Sequence, residues 1–175
     1  MDEIDVFKQN EAELMEYYQL EGIFGKIMFK FKMLKYWLCH SLAYSSPSSN
    51  FVVKMQRARG VKIGKNCHIS PYVLIDLVYP KLIEIGNNVT IGSNVMIFAH
   101  VNPTANLLLK KSKYPRKIAK VKINDGAVIN PGAILTAGVS IGKNSIVSIG
   151  CGVFEDVPES CVVLGNPARV VKKIE

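Results

Sequence analysis

The sequence predicts an all-β coil of stacked triangular rungs, preceded by a short helical extension and broken by one long projecting loop. Three observations predict it. Large aliphatics recur every six residues; small, Gly- and Asn-containing turns punctuate the period; and one strongly basic stretch has no period at all.

The aliphatics fall at Ile63, Ile69 and Ile75, at Ile85, Ile91 and Ile97, and at Ile123, Ile129, Leu135, Ile141, Val147 and Val153. Small residues often follow them (Gly64, Gly86, Gly92, Gly142, Ser70, Ser148), and a small or β-branched side chain often comes four positions on, as at Val89, Val95, Ala127, Ala133, Val139 and Ser145. A helix needs a 3.6-residue spacing, and a long strand would alternate every second residue without a turn in each hexad. A period of six instead gives one short strand and one turn per hexad, three of which close a rung of about eighteen residues. The aliphatic points inward, and pairs such as Gly86-Asn87, Asn87-Asn88 and Lys143-Asn144 supply positive φ at the corners.

Residues 1–49 are expected to form a helical extension and linker, with the coil domain at 50–175. Residues 3–20 read as a polar helix with apolar Ile4, Val6, Phe7, Leu14, Met15 and Tyr18 at helical intervals. Residues 22–40 interleave large apolar and aromatic side chains with Lys26, Lys30, Lys32 and Lys35 and contain no acid. Two readings are open for this segment: a helix capping the open end of the coil, as stacked repeats require, or a peripheral membrane contact. The cap is preferred. Ser45 to Ser49, around Pro47, reads as the linker.

Two breaks interrupt the period. Four extra residues lie around Tyr79-Pro80, and residues 99–120 carry no hexad pattern, so this second stretch must leave the coil as a loop, the usual home of function on a rigid scaffold. It is intensely basic, with Lys110, Lys111, Lys113, Arg116, Lys117, Lys120 and then Lys122, and no acid from Ala99 to Ile123.

Charge divides along the chain. Residues 1–21 hold seven acids and one base; the total of +8 therefore leaves +14 on the remainder. Such a body favours an anionic partner. The 175 residues, 49% hydrophobic, suffice for one cored domain with an extension. Cys39, Cys67, Cys151 and Cys161 show no paired spacing and read as reduced thiols. Without a signal-peptide layout or an apolar run of about twenty residues, a cytoplasmic location is expected, with the inner membrane face as the alternative through 22–40. No nucleotide-binding glycine motif and no nucleic-acid-reading motif is present, so no nucleic acid is expected as a partner. His40, His68 and His100 are too far apart for the three-histidine zinc site of a γ-type carbonic anhydrase, so no metal is expected.

Residues 60–172 resemble the hexapeptide-repeat acyltransferases, and within them the sugar O-acetyltransferases of the maltose and galactoside type. ILTAGVSIG (134–142) is similar to an aliphatic-rich segment of that family, and DVPESCVVLGNPARVV (156–171) to its closing segment. The resemblance implies a left-handed parallel β-helix, a homotrimer, acetyl-CoA as acyl donor and a hydroxyl of a sugar or polysaccharide precursor as acceptor. It implies His100, at the mouth of the loop, as general base: an acceptor hydroxyl is a poor nucleophile near neutrality, and a neutral imidazole can take its proton as it attacks a thioester. Asp76 falls where the family places an acid, either bonding the acceptor or orienting His100, and His68 is a second acceptor-side position. Alignment puts coenzyme contacts at Pro131, Ile149 and Phe154, with Gly150 and Gly152 allowing close approach, and phosphate contacts at Arg169 and Lys172 beside Lys173. Two departures stand out: Val101-Asn102 separate His100 from Pro103, and Glu155 replaces a frequent base. A serine- or amino-sugar-type acetyltransferase, and a non-catalytic coil binding an anionic partner, are the alternatives.

Overall fold

The computed structural model describes residues 6–101, 106, 108–109 and 114–174. Lys110, Lys111, Lys113 and Pro103 of the basic loop, and Ile4 of the extension, lie outside the described residues.

Three helices lead into the coil: α1 (Val6–Tyr17), α2 (Gly22–Tyr44) and α3 (Ser49–Ala58). The third occupies the start of the segment assigned to the coil domain, so the linker shrinks to residues 45–48 and the coil begins at Lys62. The physical reason is local. Ser48 caps α3 by accepting from the Phe51 N–H (3.4 Å), and the apolar Val52 and Val53 that follow are buried. Ser49 Oγ in turn accepts from the Ile69 N–H (2.9 Å), fastening α3 to the first rung. α2 packs one face inward through Phe29, Tyr36, His40 and Ala43, and His40 meets Gln56 of α3 at 3.4 Å.

Four rungs follow. The first comprises β1 (Lys62–Ile63), β2 (His68–Ile69) and β3 (Leu74–Ile75), and the second β4 (Ile83–Ile85), β5 (Thr90–Ile91) and β6 (Met96–Ile97). After the antiparallel pair β7 (His100–Val101) and β8 (Lys117–Ile118), the third comprises β9 (Val121–Ile123), β10 (Val128–Ile129) and β11 (Ile134–Leu135). The fourth comprises β12 (Ser140–Ile141), β13 (Ile146–Val147) and β14 (Gly152–Val153). Like strands stack in parallel, giving three faces ordered β1-β4-β9-β12, β2-β5-β10-β13-β15 and β3-β6-β11-β14. β15 (Cys161–Leu164) extends the second face, and β16 (Arg169–Lys173) closes it antiparallel.

The registers place each aliphatic directly over its predecessor: Ile69 on Ile91 on Ile129 on Val147, and Ile75 on Ile97 on Leu135 on Val153. All eight are at most 1% exposed, so the prism is a continuous hydrocarbon column. At the corners Asn88 and Asn144 take φ of 56° and 55°. Side chains also bridge rungs there: Asn87 Oδ1 accepts from the Lys65 N–H (2.8 Å) and Asp125 Oδ1 from the Asn87 N–H (2.7 Å). The four cysteines are free, Cys151 and Cys161 buried. No helix among the described residues is long and apolar enough to cross a membrane.

Because Ile129 sits mid-column with neighbours above and below, Ile129→Ala should destabilise the protein by about 2–5 kcal/mol, the range for truncating a buried Ile or Leu. A shift of the denaturant midpoint at constant slope checks this.

Candidate active site

The corner that follows the third face carries the site. Backbone hydrogen bonds run up it from Asp76 N–H to Ile97 O, from Phe98 N–H to Leu135 O and from Thr136 N–H to Val153 O. Asp76, Phe98, Thr136 and Phe154 therefore form a column one residue beyond the inward aliphatics, and His100 leaves the second rung beside it, at the root of the loop. The return strand is held there by the Ala119 N–H donating to Ala99 O (2.9 Å) and by the His100–Ile118 pairing.

His100 and Asp76 come together although 24 residues separate them. Asp76 Oδ2 accepts from His100 Nδ1 (2.6 Å) and from the Ala99 N–H (2.9 Å), while Oδ1 accepts from the N–H groups of Val78 (2.8 Å) and Tyr79 (2.9 Å). Burial opposes ionisation of this carboxyl, but the bonds from His100, Tyr79 and Val78 outweigh it and hold Asp76 below the ordinary carboxylate value. An ionised Asp76 can only accept, so Nδ1 carries the hydrogen and Nε2 of the neutral ring is left as acceptor. The Asp76 side chain has no exposed surface, and both oxygens are occupied. The carboxylate is thus bonded to the His100 ring and to three backbone N–H groups.

Tyr79 and Arg116 belong to this site and escaped the sequence reading. The Tyr79 ring meets the imidazole edge-on, with centroids 5.3 Å apart. Its hydroxyl accepts from Arg116 Nη1 (3.3 Å), and Arg116 reaches Asn10 (3.0 Å) and Glu13 (3.7 Å) of α1. Tyr17 of α1 packs against the far side of this assembly, 4.7 Å from the Tyr79 ring. Tyr79 lies in the four-residue phase break, which marks an insertion in the coil but not what its side chains meet.

His68 is not brought to the pair. It lies on the second face, exposed, with Nε2 at 3.4 Å from Ser70 Oγ. The positions aligned with coenzyme contacts flank the third face. Pro131, Ile149 and Gly150 share the corner before it, where the Gly150 N–H donates to Pro131 O (3.0 Å). Ile149 is 73% exposed, and open space lies over Gly150. Phe154 lies on the opposite corner, and the side chains of Asn166 and Phe154 cover Gly152. Arg169 is exposed and lies 3.7 Å from Glu155, so the acid that replaces a base there partly neutralises it. Lys172 is exposed on β16.

No family model matches the chain. Curated relatives do. The galactoside O-acetyltransferase of Lactococcus lactis is 35% identical over 115 residues, 63% of this chain and 55% of that protein. Protein CapG of Staphylococcus aureus is 34% identical over 125 residues, covering 68% of this chain and 69% of CapG. The chain belongs to the hexapeptide-repeat acetyltransferases. It spans little more than half the length of several of these family members, the galactoside enzyme among them. The solved maltose O-acetyltransferase of Clostridium difficile superposes with a TM-score of 0.66 at 24% identity, over 85% of this chain and 89% of that one. A hexapeptide-repeat acetyltransferase of Vibrio cholerae, solved with acetyl coenzyme A, does so at 0.62 and 18%, over 83% and 88%.

The depressed Asp76 carboxyl has a consequence for stability. Its ionisation favours the folded state fully above its unfolded value, near pH 4, and that contribution is lost as pH falls toward the lower folded value. Asp76→Asn should therefore be clearly less stable than the parent at pH 7, with the gap shrinking below about pH 4. Urea titrations of both proteins across that range check this.

Proposed function

We propose that the protein transfers an acetyl group from acetyl-CoA to a hydroxyl of a sugar or polysaccharide precursor, with His100 as general base and Asp76 as the residue that positions it. The observation that carries the reading is the 2.6 Å Asp76–His100 contact at the root of the loop. It holds the tautomer whose Nε2 can accept a proton.

In this reading Nε2 takes the acceptor's proton as its oxygen attacks the thioester carbonyl. The C–O bond forms, the carbon–sulfur bond breaks, and the departing thiolate receives the proton back from the imidazolium. Asp76 stabilises that imidazolium, which exists only after proton transfer has begun, so its charge counts most near the transition state. The donor's arm lies along the third face, between the corner of Pro131, Ile149 and Gly150 and that of Phe154, with its phosphates toward Arg169 and Lys172. Support for a sugar acceptor comes from the galactoside relative. A left-handed coil, a homotrimer and a membrane contact through residues 22–40 complete the proposal; the last is supported by the outward apolar face of α2.

His100→Ala should lower acetyl transfer at least ~10²-fold, the low end for loss of a general base, while coenzyme A binding is retained. Thiol release from acetyl-CoA in the presence of a panel of sugars, with calorimetric binding of coenzyme A, tests both parts; unchanged turnover would sink the assignment.

A further inference from the structure

α2 is amphipathic twice over. Its inward face is buried through Phe29, Tyr36 and His40. Directly opposite runs an exposed stripe at helical spacing, Ile23, Ile27, Phe31, Leu34, Leu38 and Leu42, each between 45% and 82% exposed. Lys26 and Lys30 border the stripe on one side and Lys35 on the other, while Lys32 turns toward the inward face, its Nζ over the Tyr18 ring. An exposed apolar patch of this size marks a docking surface.

Beside the stripe, where α2 meets the end of α3 and the turn at Pro80–Leu82, lies a cavity of about 410 Å³ whose walls include Phe31, Lys32, Lys35, Arg59 and Lys81. No ion pair reaches any of these four cations among the described residues. Arg59 is 1% exposed. Its Nε donates to Gln56 (2.6 Å) and its Nη2 to the carbonyls of Ile75 (2.5 Å) and Asp76 (2.9 Å), but its Nη1 has no partner. Lys32 Nζ lies over the Tyr18 ring (4.1 Å) and the charge of Asp76 reaches Arg59, but no acid lines the cavity itself. Crowded like charges beside a buried guanidinium nitrogen that makes no hydrogen bond form a site for an anion. Burial and the nearby Lys81 both lower the Lys32 pKa, consistent with that missing charge. A second cavity, lined by Ile27, Lys30, Phe31 and Leu34, shares Phe31 with the first. A basic pocket and an apolar slot therefore adjoin along one helix.

We propose that α2 lies along an anionic lipid bilayer and that the cavity formed by Lys32, Lys35, Arg59 and Lys81 receives a lipid phosphate. This rests on the membrane contact proposed above and names its partner. Residues 22–75 contain nine basic residues and no acid, so α2 packed on α2 of a second copy would bring lysines together, whereas a phosphate-bearing surface complements them. The aliphatic stems of the bordering lysines can lie over the stripe while their ammonium groups reach the headgroups. Through Arg59, the floor of the cavity is bonded to the strand end that carries Asp76, which places the acyl-transfer corner next to the docked surface and suits an acceptor held in a membrane.

The test is co-sedimentation of the full chain with vesicles of phosphatidylcholine alone and with 30% phosphatidylglycerol, alongside Lys35→Glu/Lys81→Glu and Phe31→Ser. Each basic group near an anionic surface contributes roughly fivefold to partitioning. The double variant should therefore lose at least about 25-fold on the anionic vesicles, Phe31→Ser should bind more weakly to them, and acetyl-CoA turnover on a soluble sugar should stay at the parental level in all three proteins. Equal binding of the parent and the lysine variant would overturn the phosphate site while leaving the membrane contact standing. Absence of binding to either vesicle would overturn both, without touching the acyl-transfer assignment. A fall in molecular mass in Phe31→Ser, with vesicle binding unchanged, would assign the stripe to contacts between copies and overturn the proposal.

Discussion

Each rung of the coil must set its inward aliphatic directly above the one before, because three short strands per turn bury too little on their own to hold a shape. Ile69, Ile91, Ile129 and Val147 satisfy this on one face, and Ile75, Ile97, Leu135 and Val153 on another. A strand of two residues makes few hydrogen bonds, so the rungs depend on one another through this column and through the parallel ladder that follows from it. Everything else is attached to that constraint. The corners recur at fixed heights, so a residue placed just beyond an inward aliphatic is held at a defined point on the outside of the prism.

The Asp76–His100 pair exploits that placement. Asp76 stacks in register under Phe98, and the chain's exit into the loop, held by the His100–Ile118 pairing and by the Ala99 N–H bonded to Asp76, then sets the imidazole on the carboxylate. The two extra residue runs, around Tyr79-Pro80 and at 99–120, both leave from this corner. Their cost to the ladder is small because a corner is already a break in strand pairing. Their benefit is a walled site: Tyr79 from the short insertion packs on the imidazole, and Arg116 from the long one links Tyr79 to α1.

The helical extension has a structural part and an unpartnered part. α3 and the inner face of α2 close the first rung, which would otherwise expose Ile69 and Ile75 at an open end. The buried Arg59 sits at this joint, bonding the carbonyls that no earlier rung can pair. The outer face of α2 takes no part in that closure and leaves an apolar stripe bordered by lysines exposed.

Much of this was legible in the residues. The six-residue period, with a small or Gly/Asn turn in each hexad, predicted the coil, its three faces and the inward positions, since a long strand would alternate every second residue with no turn inside the hexad. The loss of that period located the loop and, with it, His100. Other features were not local. Ser48 capping α3 looked like part of a linker, because a Ser-rich stretch serves equally as a loop or as a helix start until an apolar face finds something to cover. Tyr79 and Arg116 are 37 residues apart and carry no spacing signal, so only the closure of the loop onto the corner brings them to the imidazole. That Asp76 is buried, with both oxygens bonded and one of them to His100, was likewise visible only in the tertiary structure. Periodicity determines which way a side chain points; what it meets there depends on where distant segments of the chain return.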